Sequence, residues 1–293
     1  MNRPILKLDK VSKTYPDFAL REVSFALPAG YIMGLIGPNG AGKSTTIKLI
    51  MNFFPLESGK IEVFGLDHCE EEIKIKQQVG YVGEFQQFYG EMTVSWLIRF
   101  VSGFYPNWDQ QYCQELVNRF GLRLNKTVNQ LSKGMRVKLA LTLALAHRPR
   151  LLLLDEPTSG LDPVVRKEFL QELLEVVQDE ERSILISSHI TDDLEKIADY
   201  ITLINQGSIA LCQPKDLLLD SWKKVVVKDR HLIERLNPWL VYWEPGSNDR
   251  VGYTDNFLEL QRSFALQLAE GQIVAESIDL ADIMSAIVKR EGK

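Results

Sequence analysis

The sequence predicts an α/β fold built on parallel strands, and three observations predict it. Two short apolar runs, "LLLLDEP" and "SILISSH", have the composition of strands buried on both faces. The helical stretch "PVVRKEFLQELLEVV" separates them, and strands alternating with helices pair in parallel. A glycine-rich loop, "GPNGAGKS" at residues 37–44, joins a further apolar strand at residues 32–36 to a helix.

The elements follow in order. The opening "PILKLDKVSKTYPDFALREVSFALPAGYIMGLIG" reads as short strands punctuated by Pro16, Pro28, Gly30 and Gly37. After the loop, "TIKLIMNFF" is an apolar helix ended by Pro55, and "SGKIEVFG" a strand closing at Gly65. The run "HCEEEIKIKQQ" reads as a solvated turn and helix. From Val94 to Ala146 the pattern is helical, and Trp96, Phe100 and Phe104 make one apolar stripe at four-residue spacing. That spacing fits core packing, or a groove that receives a partner's helix. Beyond Ser221 the texture changes: "KKVVVK", "WLVYWE", "RVGYT" and "IVAESI" are strand-like, "DNFLELQRSFALQLAE" and "LADIMSAIVKRE" helical. Three of the five tryptophans, Trp222, Trp239 and Trp243, crowd here and are expected to build a small core of their own. The expected division is residues 1–220 and a small α+β unit at 221–293, with a helical subdomain at about 90–146.

Composition narrows the function. The 293 residues carry 34 basic and 39 acidic side chains, a formal charge of −5, which argues against a nucleic-acid binder held by bulk charge. No apolar run approaches the ~18 residues that span a bilayer. Cys69, Cys113 and Cys212 are scattered, without metal-type spacing, and read as reduced thiols of a cytosolic protein. His68 beside Cys69 has no second pair to complete a metal site.

The loop carries the first chemistry. Gly37, Pro38, Asn39, Gly40, Ala41 and Gly42, followed by Lys43, Ser44 and Thr45, satisfy G-x-x-x-x-G-K-S/T. Its glycines let backbone N–H groups turn toward phosphate oxygens, the helix start adds positive potential, Lys43 reaches the terminal phosphates, and Ser44 can hold Mg²⁺. By itself the loop indicates an NTPase or nucleotide kinase. Asp155 and Glu156 leave the end of a buried strand, on the edge where such sheets bind ligands. Asp155 is placed for the Mg²⁺ shell, and Glu156 to accept a proton from attacking water, unless they only cap the following turn. His189 follows a third apolar run on the same edge, where an imidazole can bridge the γ-phosphate and the catalytic carboxylate. Lys43, Glu156 and His189 are therefore the catalytic candidates.

A second helix start has the same character. Ser132 and Gly134 precede "MRVKLALTLALA", offering free N–H groups and a positive dipole end. An N-cap role accounts for Ser132 but leaves Gly134 without a reason. Here "LSKGM" resembles the LSGGQ signature of the ABC (ATP-binding cassette) ATPases and precedes "LLLLDEP" at the usual distance. "SGLD", ending in Asp162, resembles their D-loop, His189 their switch histidine, and Tyr15 the aromatic that stacks on adenine. The ordered match spans roughly residues 5–214. It implies a P-loop NTPase (RecA-like) core with an N-terminal antiparallel β subdomain and an inserted α-helical subdomain, binding ATP and Mg²⁺. It also implies a head-to-tail pair of cassettes, each ATP lying between the phosphate loop of one and the signature helix of the other. Two positions depart: Lys133 and Met135 stand where Gly and Gln are common, and Glu84 holds the Q-loop glutamine position, facing Mg²⁺ or its water, unless Gln86 or Gln87 supplies the amide.

Within that family three roles compete. Ribosomal members usually carry two cassettes, and DNA-end members a long coiled coil, which residues 53–130 lack. A transporter subunit at the cytoplasmic face of the membrane is expected, serving a transmembrane permease on a separate chain and pairing as homodimer or heterodimer. Its single cassette and short extension resemble bacterial multidrug or antibiotic exporters more than importers of the sugar type, whose extension is longer and barrel-like.

Overall fold

The protein was analysed as a computed structural model, which describes residues 3–85, 88–244 and 250–291. Gln86 and Gln87, the alternative amide donors, lie outside the described residues. In chain order the elements are β1 (Leu6–Tyr15), β2 (Phe18–Leu27), β3 (Ile32–Ile36), α1 (Lys43–Ile50), β4 (Ser58–Val63), β5 (Leu66–Asp67), α2 (Glu72–Lys76) and β6 (Val79–Val82). There follow α3 (Val94–Ser102), α4 (Gln110–Arg119), α5 (Lys133–Leu145), β7 (Leu151–Asp155), α6 (Pro163–Val176), β8 (Ser183–Ser188), α7 (Thr191–Ile197), β9 (Tyr200–Asn205), β10 (Ser208–Pro214) and α8 (Lys215–Ser221). The chain ends with β11 (Lys223–Val227), α9 (Ile233–Leu236), β12 (Tyr242–Trp243), β13 (Arg250–Thr254), α10 (Phe257–Ser263), α11 (Ala265–Ala269), β14 (Ile273–Ser277) and α12 (Leu280–Glu291).

The central sheet runs β10-β9-β3-β8-β7-β6, parallel throughout except for the antiparallel edge strand β10. Alternation along each strand sends neighbouring side chains into opposite layers. Leu152, Leu154, Ile184 and Ile186 join the core formed with the helices, whereas Leu151, Leu153 and Leu185 join the layer beneath the antiparallel sheet β2-β1-β4-β5. Both layers are dry, which is why these strands read as unbroken apolar runs; each such leucine contributes about 1.5–3 kcal/mol by leaving water. The register levels the strand ends: Asp155 pairs with Ser187, and Ile36 with Ser188.

A third sheet, β12-β13-β11-β14, lies beyond Ser221. Val225, Val227, Leu236, Leu260, Phe264 and Ile273 form its cluster, with Trp239 and Trp243 packed against it. Trp222 departs from the expectation. It joins the main core, together with Tyr242, Tyr253 and the inner face of α12 (Ile283, Ala286, Ile287). The Leu280 backbone N–H donates to Glu195 Oε2 at 3.2 Å, so α12 is anchored on α7. The stripe Trp96, Phe100 and Phe104 is not core either; the three side chains are 37%, 42% and 64% exposed, with Trp96 stacked on Phe100 and Phe104, just past the end of α3, meeting Phe100 edge-on.

Candidate functional site

The loop after β3 is shaped by its glycines. Gly37 has φ 155°, and a Cβ there would lie 2.1 Å from the Ile204 carbonyl oxygen. Gly42 has φ 115°, and a Cβ would lie 2.5 Å from Leu20 and 2.9 Å from Phe18. Neither position accepts a side chain in this conformation. Lys43 then begins α1 with its ammonium turned back under the loop, donating to the carbonyls of Gly37 at 2.9 Å and Pro38 at 3.3 Å.

The acids arrive from the level ends of β7 and β8. Ser44 Oγ donates to Asp155 Oδ1 at 2.8 Å, and Ser187 Oγ donates to the same oxygen at 2.9 Å. Ser187 Oγ also accepts the Glu156 N–H at 2.9 Å. Glu156 has φ 49°, a strained conformation for a residue with a side chain, which turns its carboxylate over the loop. There Oε1 lies 3.3 Å from Lys43 Nζ, and Oε2 accepts from His189 Nδ1 at 2.6 Å and from the His189 N–H at 3.3 Å. The imidazole is 45% exposed, so it can meet a ligand while holding the carboxylate.

These groups face a cavity of about 480 Å³ lined by Asn39, Gly40, Gly42, Lys43, Ser44, Thr45, Glu84, Glu156 and His189, all anticipated from the sequence. Phe18 and Ser159 line it too and were not anticipated. Phe18 leaves no motif signature, because only the close approach of β2 to Gly42 brings it in. Tyr15, the expected adenine partner, is not among the lining residues; its ring meets Phe54 edge-on at 6.5 Å. Asp155 lies beneath the floor, buried, with Ser44 as its link to the cavity. The hydroxyl of Ser44 and the carboxylates of Asp155 and Glu84 are hard oxygen donors, a set that fits Mg²⁺.

Glu84 and Asp155 also line an adjacent groove of about 560 Å³, with Tyr81, Phe85, Phe88, Val101 and Tyr105. Burial pushes the Tyr81 phenol up to about 12, and the negative charges of Asp155 and Glu84 add to it. Tyr81 is therefore neutral at any working pH, a polar wall between two carboxylates.

Ser132, Gly134 and Asp162 line neither cavity. Ser132 caps α5, its Oγ accepting the Met135 N–H at 3.3 Å, and Asp162 caps α6, accepting the N–H groups of Val164 and Val165. Gly134 explains itself by packing: a Cβ there would lie 3.1 Å from Val165 of α6. Lys133 leans across to Gly160, so the two helix starts form one surface apart from the phosphate loop. His68, near Cys69, is buried and its pKa is lowered by desolvation. Asp67, His68 and Cys69 hold donor atoms within 4.8 Å of one another, but Asp67 Oδ1 already accepts the N–H groups of Cys69 and Glu70.

Comparison with known proteins agrees with this geometry. The family model described as "ABC transporter" matches residues 20–159. The ABC transporter ATP-binding protein YtrB of Bacillus subtilis is 34% identical over 222 residues, covering 75% of this chain and 76% of that protein. The bacitracin transport ATP-binding protein BcrA of Bacillus licheniformis is 30% identical over 242 residues, covering 78% and 79%. Among solved structures, an ATP-binding subunit of an ABC transporter superposes with TM-score 0.68 at 28% identity, over 74% of this chain and 92% of that one. With a glycine-shaped loop, a lysine beneath it and paired acids at the level strand ends beside these relatives, the chain belongs to the ABC transporter family, as an ATP-hydrolysing nucleotide-binding subunit.

Proposed function

We propose that two cassettes close head to tail around two Mg·ATP and thereby drive a permease on a separate chain at the cytoplasmic face of the membrane, in the direction of export. The observation that carries this reading is the separation of two phosphate-type surfaces. One chain presents a cavity with Lys43, Glu156 and His189, and a distinct surface with Ser132, Gly134 and Asp162 that lines none of it. A second copy, or a related cassette, completes each cavity with that surface. Hydrolysis is then conditional on closure.

Within the cavity, the loop amides and Lys43 hold the β- and γ-phosphates, and Phe18 stands beside the loop at Gly42. Bound Mg²⁺, held by Ser44, Asp155 and Glu84, would neutralise phosphate charge. Glu156 takes the proton of the attacking water, and His189 holds that carboxylate through Nδ1 while its other ring nitrogen is left for the γ-phosphate. The groove beside Glu84 mixes aromatic and aliphatic side chains with Lys48, Lys76 and two carboxylates, and among the described residues no helix is long and apolar enough to cross a membrane. Its aromatic wall, with Phe85 75% exposed, suits an amphipathic helix of the permease. Export is supported by the likeness to a bacitracin transport protein.

The test is Glu156→Gln in the full chain. The variant is expected to bind ATP and to accumulate as a nucleotide-loaded dimer by size exclusion, with turnover lost. Rapid hydrolysis by that variant removes Glu156 from the role of base, and a loaded but strictly monomeric species removes the shared site.

A further inference from the structure

Asp193 lies four residues beyond His189, near the start of α7, and its side chain is only 2% exposed. A carboxylate at that depth is very unfavourable unless it is fully paired. It is paired twice. Oδ2 accepts from Thr158 Oγ1 at 3.0 Å, and Oδ1 accepts from Arg166 Nε at 2.6 Å. Thr158 follows Glu156 by two residues and is itself buried. Arg166 stands in the first turns of α6, its N–H bonded at 3.0 Å to the carbonyl of the cap Asp162. One carboxylate therefore ties together the segment that carries the base, the helix that starts at the D-loop and the helix that follows the switch histidine.

We infer that Asp193 is a positioning residue, one that holds His189 and Glu156 in mutual register and links both to the surface around Asp162. The inference rests on the roles of Glu156 and His189 proposed above. Apolar contact between α6 and α7 tolerates sliding, whereas a carboxylate caught between a hydroxyl and a guanidinium has one geometry. That geometry fixes the direction in which α7 begins, and so the place of the imidazole that meets Glu156. It also means that a second copy engaging the Asp162 surface acts on the same chain's hydrolytic pair through Arg166 and Asp193. Reacting groups displaced by about 1 Å lose roughly a hundredfold in rate, so the tie bears on turnover far more than on nucleotide binding.

The experiment uses the full chain with Asp193→Asn, Arg166→Gln and both together, and Glu156→Gln as reference. It reads steady-state ATPase, equilibrium binding of a fluorescent ATP analogue, thermal unfolding and the imidazole ¹H–¹⁵N signals of His189. With four histidines in the chain, a His189→Asn spectrum assigns that ring. Each single variant is expected to lower kcat at least tenfold with nucleotide Kd within about twofold, and to shift the His189 ring signals. The double variant is expected to be no worse than the singles. Wild-type turnover in folded Arg166→Gln overturns the inference, as does a loss of turnover matched by loss of nucleotide binding with His189 unshifted. If Asp193→Asn does not fold, the partly exposed Arg166 decides the matter alone. Glu156→Gln separates the layers: activity there sinks the base assignment, whereas an inactive Glu156→Gln beside a fully active Arg166→Gln sinks only the tie.

Discussion

Ser187→Ala probes whether the two acids are held from below. The hydroxyl is fully buried, donates to Asp155 Oδ1 at 2.9 Å and accepts the Glu156 N–H at 2.9 Å. Its loss removes a hydrogen bond to a charged acceptor, about 1.5–3 kcal/mol, and leaves the Glu156 N–H buried without a partner, about 1–3 kcal/mol. The two overlap because the strand end relaxes, so a net destabilisation of roughly 2–4 kcal/mol is expected, inside the usual 5–15 kcal/mol of a folded domain. Turnover is expected to fall further than stability alone requires. Glu156 sits at φ 49°, a strain of about 1–3 kcal/mol, and its N–H bond to Ser187 helps to hold it there. With that anchor gone the carboxylate relaxes away from the loop, and kcat drops on the order of ten- to a hundredfold while ATP binding, which Lys43 and the loop amides govern, changes little. Urea unfolding and steady-state ATPase on one preparation measure both. A variant within about 0.5 kcal/mol of the parent and within about twofold in turnover would refute the support role and the strain argument together.

Three further outcomes are expected. Ser132→Arg should abolish turnover while leaving ATP affinity of the monomer nearly intact, at the cost of about 1 kcal/mol for the lost cap; equal loss of monomer binding contradicts the two-copy site. Removing residues 221–293 strips Trp222, Ile283 and Ile287 from the main core and the α12 anchor from Glu195, so the truncated chain should aggregate or melt well below the parent, and an unchanged melting temperature would show that the C-terminal unit merely abuts the cassette. Burial holds the His147 imidazole neutral, its pKa lowered to about 4 from 6.5. The unfolded chain therefore takes up that proton first, and the associated stability, up to roughly 3 kcal/mol, is fully present above pH 6.5 and is lost as pH falls toward 4; urea titrations at pH 7 and 5 should show the loss, and His147→Phe should flatten it.

The parts that were legible in the sequence are those where physics leaves one residue type few alternatives. The strands showed because both faces of the central sheet are dry, and the phosphate loop because Gly37 and Gly42 admit no Cβ. The acids and His189 showed because they end apolar runs. Periodicity identified the face shared by Trp96, Phe100 and Phe104 but not its place, which is outside the chain's own core. Trp222 and Trp239 look alike in sequence yet serve different cores, since only the turn between α8 and β11 aims the first at α12. Ser187 and Asp193 had a signal that a motif search passes over: a hydroxyl inside "SILISSH" and an acid within a short helix are buried polar groups that must be paired.

Glu156 has both carboxylate oxygens committed before any nucleotide arrives, Oε1 toward Lys43 and Oε2 to His189. An oxygen already in contact with the Lys43 ammonium is not free to receive a proton from water until that contact loosens. Phosphate is the stronger competitor for Lys43: the loop amides reinforce it with several charge-assisted bonds, while Glu156 offers one contact at 3.3 Å. Occupation of the loop is therefore expected to draw Lys43 from Glu156 and to free Oε1 toward the cavity. A Lys43→Ala variant is expected to lose ATP affinity with the fold unchanged, measured by equilibrium binding of a fluorescent ATP analogue beside thermal unfolding; wild-type affinity in the folded variant would remove Lys43 from the phosphate site.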